Sequence, residues 1–216
     1  MRQLALDIAT APAQTFDNFV VGRNAEAMAH LRAALAGSGE RFVYLWGEPG
    51  SGRTHLLRAA CAEGDATYVA CAGDSTFDDA APLLAADDVD RLGDAAQGAL
   101  FRRYNALREA GGGLIASARV PPVQLAMRAD LLTRLGWGLV VQVHALDDGE
   151  KAQALAQQAK ARGFTLPDEV IGYLLSRASR DTRALFAALE ALDRHSLETK
   201  RAITVPLVRA WLAQNH

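Results

Sequence analysis

The stretch GEPGSGRT, residues 47–54, is the most informative part of this sequence. The apolar run FVYLW (42–46) precedes it, and the run HLLRAA (55–60), whose pattern is typical of a helix, follows it. A strand, a glycine-rich turn and a helix in this order are the context that a phosphate-binding loop requires. Glycines let the backbone curl so that several N–H groups point inward, and the start of the following helix adds partial positive charge. The stretch therefore predicts a cradle for the phosphates of a nucleotide.

One residue of this loop departs from the usual motif. Arg53 stands where lysine is normal, and arginine binds oxygen atoms as a bulkier, flat fork rather than as a point charge. Thr54 carries the hydroxyl that binds Mg²⁺ in such loops. We therefore expect nucleotide binding with poor hydrolysis. The predicted nucleotide-binding residues of this stretch are Gly47, Pro49, Gly50, Ser51, Gly52, Arg53, Thr54 and His55.

Composition limits the classes of function. The chain has 216 residues, 50% of them hydrophobic, and a net charge of −2. At roughly 100–200 residues per domain, this length gives one large or two small domains. The near-neutral charge argues against strong direct binding of DNA or of an anionic membrane. The two cysteines are too few for a zinc ribbon, and no apolar run reaches the length of about 20 residues that spans a bilayer. The N-terminus lacks a signal-peptide pattern, so we expect a cytoplasmic protein.

Two adjacent carboxylates, Asp87 and Asp88, end the apolar run of residues 81–86. A strand that ends in such acids is the usual companion of a phosphate loop, where the first acid orients Mg²⁺ and the second polarises an attacking water. A solvated turn is the alternative, but the position one helix and one strand after the loop favours a functional site. The sequence thus predicts Asp87 and Asp88 as catalytic residues, and Thr54 with Asp87 as the ligands of any Mg²⁺.

Apolar runs alternate with helical patterns as far as Leu146. This alternation predicts an α/β fold with a covered, five-stranded parallel sheet. The predicted strands are 42–46, 67–71, 83–86, 114–117 and 139–143. Among the helices between them, one is capped by Asn24 and ends at Gly37, and another contains Leu125 and Leu135.

After Leu146 the pattern is helical throughout. We predict one helix from Asp147 or Asp148 to Gly163, and a second that begins near Thr165 with Pro167 in its first turn. Two more cover about 182–197 and 204–212. The predicted organisation is a tag and linker over 1–14, a nucleotide-binding α/β domain over 15–146 and a small helical lid over 147–216.

Two segments before the loop carry apolar residues of undecided role. Phe19 and Val20 belong to an aromatic and aliphatic cluster that could form a wall for adenine or simply pack in the core, and the two are compatible. The N-terminal run QLALDI (3–8) precedes a link that contains Pro12. Its chemistry alone is typical of an edge strand or a frayed end, although an apolar tag on a tether also suits docking into a groove on another protein.

Four stretches together resemble the AAA+ ATPases of the DnaA initiator family. They are TFDNFVVG (15–22), LWGEPGSGRTHLL (45–57), DDVDRL (87–92) and TRLGWGL (133–139), and they follow the order of the family's boxes. The resemblance covers nearly the whole chain and implies a P-loop AAA+ domain with a helical lid. Since the sequence ends after the lid, we expect no DNA-binding helix-turn-helix domain.

The resemblance also implies roles for single residues. Arg134 matches the arginine finger that acts in trans on the nucleotide of a partner, although a surface charge would be the simpler interpretation without the family. Arg183 matches the lid's nucleotide sensor better than Arg180 does. Ser117 lies near the first sensor, but Ala118 stands where a polar residue is usual, which further weakens the case for self-hydrolysis. The N-terminal run looks like the tag that binds the DNA polymerase sliding clamp, with Gln3, Leu4, Leu6 and Ile8 as anchors.

These features resemble a regulator of chromosomal replication initiation. Such a protein binds ADP, or ATP, docks on the DNA polymerase III sliding clamp (beta subunit) and stimulates hydrolysis of the ATP bound to the DnaA initiator. The alternative is an autonomous AAA+ ATPase that acts as a helicase loader or truncated initiator, and a third interpretation is a scaffold that binds no nucleotide. A homo-oligomer is compatible with each.

Overall fold

A computed structural model describes residues 13–177, 182–199 and 201–215, with the backbone alone at residues 183, 214 and 215. Its centre is one five-stranded sheet with the order β2-β3-β4-β1-β5. The pairs β1–β4, β3–β4 and β2–β3 are all parallel, which confirms the predicted sheet. The strands are β1 Phe42–Trp46, β2 Ala66–Ala70, β3 Leu83–Asp87, β4 Gly113–Ala118 and β5 Leu139–Gln142.

Eight α-helices accompany the sheet in the described part of the chain, and helices only follow β5. None of the described helices is both long and apolar enough to cross a membrane. Two short 3-10 turns, Val89–Arg91 and Pro122–Gln124, follow β3 and β4. The helices are α1 Ala25–Leu35, α2 Arg53–Glu63, α3 Asp94–Glu109, α4 Ala129–Trp137, α5 Asp148–Ala161, α6 Asp168–Arg177, α7 Thr182–Thr199 and α8 Val205–Asn215.

The central strands β3 and β4 are buried at every position, as their continuous apolar runs predict. Leu84 pairs with Leu114 and Ala86 with Ala116, so the two strands run side by side to their carboxyl ends. In a parallel sheet these ends meet at one edge, which is where open α/β sheets carry their ligand sites. The register therefore brings Asp87, at the end of β3, next to Ser117 on β4.

The chain forms two compact units. The first comprises residues up to 19, 27–46 and 53–141, and contains most of the sheet with α2 to α4. The second comprises 20–26, 47–52 and everything from 142 onward, so two short segments from the first half of the chain join the helical part. The predicted domain boundaries at residues 14 and 146 stay predictions.

The helical unit has its own apolar core, which α5 to α8 build from one face each. The first of these helices has a capping box: the Asp147 side chain accepts a hydrogen bond from the Glu150 backbone N–H at 2.8 Å, and Glu150 Oε2 accepts one from the Asp147 N–H at 2.9 Å. The fully buried core residues include Leu155, Val170, Leu174, Leu189, Leu192 and Val208.

Three local predictions were wrong in detail. The Asn24 side chain bonds both backbone groups of His144, at 2.7 and 2.9 Å, and so ties two chain segments together instead of capping α1. Leu125 follows a 3-10 turn and precedes α4, because Pro121 and Pro122 favour a short turn before the helix. Pro167 lies one residue before α6, where its carbonyl accepts the Val170 N–H at 2.9 Å.

Candidate nucleotide site

The phosphate loop depends on its glycines. A Cβ added at Gly47 would lie 2.1 Å from the Val143 carbonyl oxygen, so no side chain fits there. Gly50 and Gly52 have φ angles of 82° and 100°, in the region where residues with a Cβ are strained. The Ser51 N–H donates to the Glu48 carbonyl at 3.1 Å and closes a turn. The backbone is thus bent as a phosphate loop requires.

Two buried polar groups of this motif lack hydrogen-bond partners among the described residues. The Ser51 side chain is only 5% exposed, and its Oγ has no partner. Arg53, at the first position of α2, is 8% exposed, and its Nη1 makes no aligned hydrogen bond. An orphaned buried group such as the Ser51 hydroxyl is rare and calls for an explanation, such as a ligand that pairs with it. Both can donate to phosphate oxygens, so the motif fits a nucleotide.

Arg53 also forms an ion pair with the second acid. Its Nη1 lies 3.1 Å from Asp88 Oδ1, without hydrogen-bond alignment. Asp88 has a left-handed backbone, with φ of 57° and ψ of 53°. Burial raises the pKa of the Asp88 carboxyl above its usual value, while Arg53 acts in the opposite direction. The cation expected on phosphate is therefore in contact with a carboxylate of its own chain.

The first acid is enclosed by hydrogen bonds. Asp87 is 4% exposed; its Oδ1 accepts a bond from Ser117 Oγ at 2.5 Å, and its Oδ2 accepts one from the Tyr68 hydroxyl at 2.8 Å. Ser117 Oγ in turn accepts the Asp88 N–H at 3.0 Å. The next residue of β4, Ala118, is fully buried and brings no polar group. We call Asp87 and Asp88 the acid pair; both acids are engaged by side chains of the same chain.

Arg134 lies in the last turn of α4 and is half-buried. Its Nε donates to Asn105 Oδ1 at 3.2 Å, and its guanidinium carbon lies 4.0 Å from the centroid of the Trp137 ring. The ring is itself 57% exposed. Arg134 lies within α4 rather than on a turn, because the helix continues through residue 137. A hydrogen bond and a cation–π contact hold the guanidinium instead.

The chain is similar to known proteins in both its sequence and its fold. Residues 148–212 match the family model described as Hda, lid domain. The crystal structure of domain III from the Thermotoga maritima replication initiation protein DnaA aligns with 94% of this chain and 97% of its own, with a TM-score of 0.75 and 21% identity. A structure of replication initiator DnaA bound to AMPPCP and single-stranded DNA aligns with 88% of this chain and 68% of its own, with a TM-score of 0.71 and 25% identity.

The chain is an Hda/DnaA-like AAA+ protein. Its fold is the nucleotide-binding AAA+ fold with a helical lid. AMPPCP-bound DnaA from Aquifex aeolicus has the same fold, with 24% identity over 84% of this chain and 65% of its own, and a TM-score of 0.70. The resemblance drawn from the four boxes is confirmed.

The magnesium ion that an AAA+ fold implies does not fit the acid pair as this DnaA-like protein arranges it. Mg²⁺ needs oxygen ligands at about 2.0–2.1 Å in near-octahedral geometry and keeps several waters. Asp87 is buried and both its oxygens already accept hydrogen bonds. Asp88 faces the positive charge of Arg53. Thr54, half-buried in the first turn of α2, is the remaining predicted ligand.

The residues predicted to flank the adenine pack within this DnaA-like fold. Phe19 is buried and meets the ring of His55 edge-on, with 5.2 Å between centroids. His55 Nε2 donates to the Thr15 carbonyl at 2.8 Å, so this histidine anchors the segment that carries Phe19. Val20 is half-buried. Core packing accounts for these contacts, and a role of Phe19 and Val20 in binding the adenine base stays a prediction.

Some predicted site residues lie outside the described residues or have only their backbone described. The backbone of Arg183 belongs to α7, but its side chain is not described, and Arg180 lies outside the described residues. The four tag residues Gln3, Leu4, Leu6 and Ile8 also lie outside the described residues. Their roles stay predictions.

Sequence reasoning missed Tyr68. This residue lies on β2, and its ring faces the guanidinium of Arg58 at 4.8 Å while its hydroxyl bonds Asp87. Burial and the Asp87 carboxylate raise the pKa of Tyr68 to about 12, against a lowering effect of Arg58. A tyrosine in an apolar strand is common, and the signal appears only once β2 and β3 are known to be neighbours.

Proposed function

We propose that this chain is a nucleotide-bound regulator of chromosomal replication initiation. It holds ADP in its own phosphate loop, docks on the DNA polymerase sliding clamp through residues 3–8, and stimulates hydrolysis of the ATP bound to DnaA. The trans-acting group is Arg134, and the result is an inactive, ADP-bound initiator. Within this chain, Arg183 of the lid and the Phe19–Val20 segment complete the nucleotide site.

The observation that carries the proposal is the engagement of the acid pair by Tyr68, Ser117 and Arg53. Nucleotide hydrolysis needs a residue that positions or polarises the attacking water, and the acid pair is the predicted source of that residue here. Here Asp88 is paired with a guanidinium and Asp87 is buried. The phosphate loop keeps the bends and donors that binding requires. A chain that binds nucleotide without turning it over suits a regulatory role better than a motor role.

The surroundings of Arg134 support a role toward another molecule's phosphate. The Asn105 oxygen and the Trp137 ring fix the guanidinium at one edge and one face. A guanidinium has five N–H donors, and the bond to Asn105 uses the one on Nε. A positioned arginine that meets developing charge on a γ-phosphate accelerates hydrolysis by about 10³–10⁵ in comparable systems.

The test is the rate of ATP hydrolysis by DnaA with clamp-loaded DNA, with and without this protein. We expect stimulation by the wild-type chain and a loss of at least about hundredfold with Arg134→Ala. Arg128→Ala is the matched control, because Arg128 precedes the same helix and pairs with Asp130 at 2.9 Å. Normal stimulation by Arg134→Ala would contradict the finger. Rapid hydrolysis by this chain alone would favour the autonomous ATPase.

Clamp docking has its own test. The tag proposal predicts that Gln3→Ala combined with Leu4→Ala abolishes retention on immobilised clamp, since both anchors of the first half are lost. Thr10→Ala, in the same N-terminal segment but outside the tag, is the control and should bind normally. Retention of the double variant at wild-type level would remove the tag from the proposal.

A further inference from the structure

We propose that this chain holds its nucleotide without a divalent cation, and that Tyr68 is the residue that keeps magnesium from the acid pair. The inference rests on the proposed nucleotide binding. It adds a specificity to that site: a nucleoside diphosphate is taken as the free anion rather than as its metal complex.

The carboxylate of Asp87 is poorly accessible to a hydrated cation. Its two carboxylate oxygens each accept a hydrogen bond from a hydroxyl, Oδ1 from Ser117 and Oδ2 from Tyr68. Hydrogen bonds to an ionised carboxylate are roughly twice as strong as neutral ones. A hydrated cation would have to compete with them at a carboxylate that is 4% exposed. Since Mg²⁺ gives up its own waters reluctantly, the exchange is unfavourable on both sides.

The carboxylate of Asp88 is paired with a cation of the protein itself. The guanidinium of Arg53 lies 3.1 Å away and is always charged. It therefore compensates one of the two carboxylate charges and repels a further cation from the same place. A lysine, which is the usual residue of the motif, would present a compact ammonium on a flexible stem. The arginine at this position instead holds its guanidinium against Asp88.

Tyr68 and Ser117 bond the same carboxylate but have different structural roles. Ser117 also accepts the Asp88 N–H, so it joins the two acids to each other and helps to fix the left-handed turn between them. Tyr68 lies on the neighbouring strand β2 and bonds Asp87 through its hydroxyl. Removing that hydroxyl frees one oxygen of Asp87 and leaves the link between the acids in place.

The experiment is calorimetric titration of ADP into nucleotide-depleted protein, once in EDTA and once in excess Mg²⁺. We expect the two dissociation constants of the wild-type chain to agree within about threefold. For Tyr68→Phe we expect magnesium to tighten ADP binding by about tenfold, the order expected when one charge-assisted hydrogen bond stops competing for the carboxylate. Mn²⁺ alone, followed by its paramagnetic resonance signal, should bind Tyr68→Phe and not the wild type.

Tyr44→Phe is the matched control, since it also removes a tyrosine hydroxyl from the same sheet. That hydroxyl donates to the Val120 carbonyl at 2.8 Å and not to the acid pair. We therefore expect no magnesium dependence in this variant.

The outcomes are distinguishable. Wild-type binding that is more than tenfold tighter with magnesium would overturn the inference and leave the proposed nucleotide binding intact. A Tyr68→Phe chain as indifferent to magnesium as the wild type would overturn the assignment to Tyr68. No ADP binding under either condition would overturn the proposed function together with the inference.

Discussion

Gly47 has no space for even one methyl group. The carbonyl oxygen of Val143 lies 2.1 Å from the position of an added Cβ, and backbone cannot move away as a flexible side chain can. We predict that Gly47→Ala abolishes ADP binding and lowers the free energy of unfolding by about 1–3 kcal/mol, the range for overpacked sites. Calorimetric titration and urea unfolding measure the two effects. Gly73→Ala, where nothing lies within 4 Å of the added Cβ, should leave both nearly unchanged.

We expect the Tyr68 hydroxyl to make the free energy of unfolding depend on pH in the alkaline range. Its pKa is raised to about 12 in the folded chain, above an ordinary value of about 10. Between these two values the unfolded chain loses the proton first, so the free energy of unfolding falls as the pH rises. We predict that Tyr68→Phe loses less stability between about pH 10 and 12 than the wild type, as measured by urea unfolding at a series of pH values. Equal losses in the two proteins would contradict the buried Tyr68–Asp87 contact.

At the scale of residues, the sequence identifies groups but not their partners. Gly50 and Gly52 are predictable because the motif sets a backbone that only glycine adopts without strain. The contact of Arg53 with Asp88 is not predictable from spacing, because it joins residues 35 positions apart through the order of the strands. Tyr68 is hidden for the same reason.

At the scale of elements, strands are predicted best. The apolar runs of β1, β3 and β4 are continuous because both faces of a parallel sheet are covered. Boundaries are less predictable where a polar side chain has a distant partner. Asn24 has the chemistry of a helix cap, but the His144 backbone provides both a donor and an acceptor for its amide.

The capping box at the start of α5 is expected to contribute to the stability of the protein. Asp147 accepts the Glu150 N–H, and Glu150 accepts the Asp147 N–H in return. Loss of such a cap costs typically about 1 kcal/mol, so we predict that Asp147→Ala lowers the free energy of unfolding by this amount in urea unfolding. Asp148→Ala is the matched control, because Asp148 is exposed and its ion pair with Lys151 spans 3.6 Å. A change below about 0.5 kcal/mol is expected there. Equal effects of the two substitutions would argue against the cap.

At the scale of the whole molecule, four sequence boxes were enough to predict the fold, because each box specifies a strand end, a turn or a helix at a fixed place in the chain. The AAA+ fold and the Hda-type lid are confirmed by the comparisons. What the boxes could not predict is the state of the acid pair. It depends on Tyr68, which lies outside every box, and on the orientation of Arg53 within one.

The most direct measurement follows a single turnover with two distinguishable nucleotides. DnaA is loaded with ATP labelled on the γ-phosphate, and this chain is loaded with unlabelled ADP before the two are mixed with clamp-loaded DNA. We predict release of labelled phosphate with the wild-type chain and with Arg128→Ala, and none above the rate of DnaA alone with Arg134→Ala. Release that is undiminished with Arg134→Ala, or absent with the wild-type chain, would contradict the proposal that this chain supplies a cation to the nucleotide of DnaA.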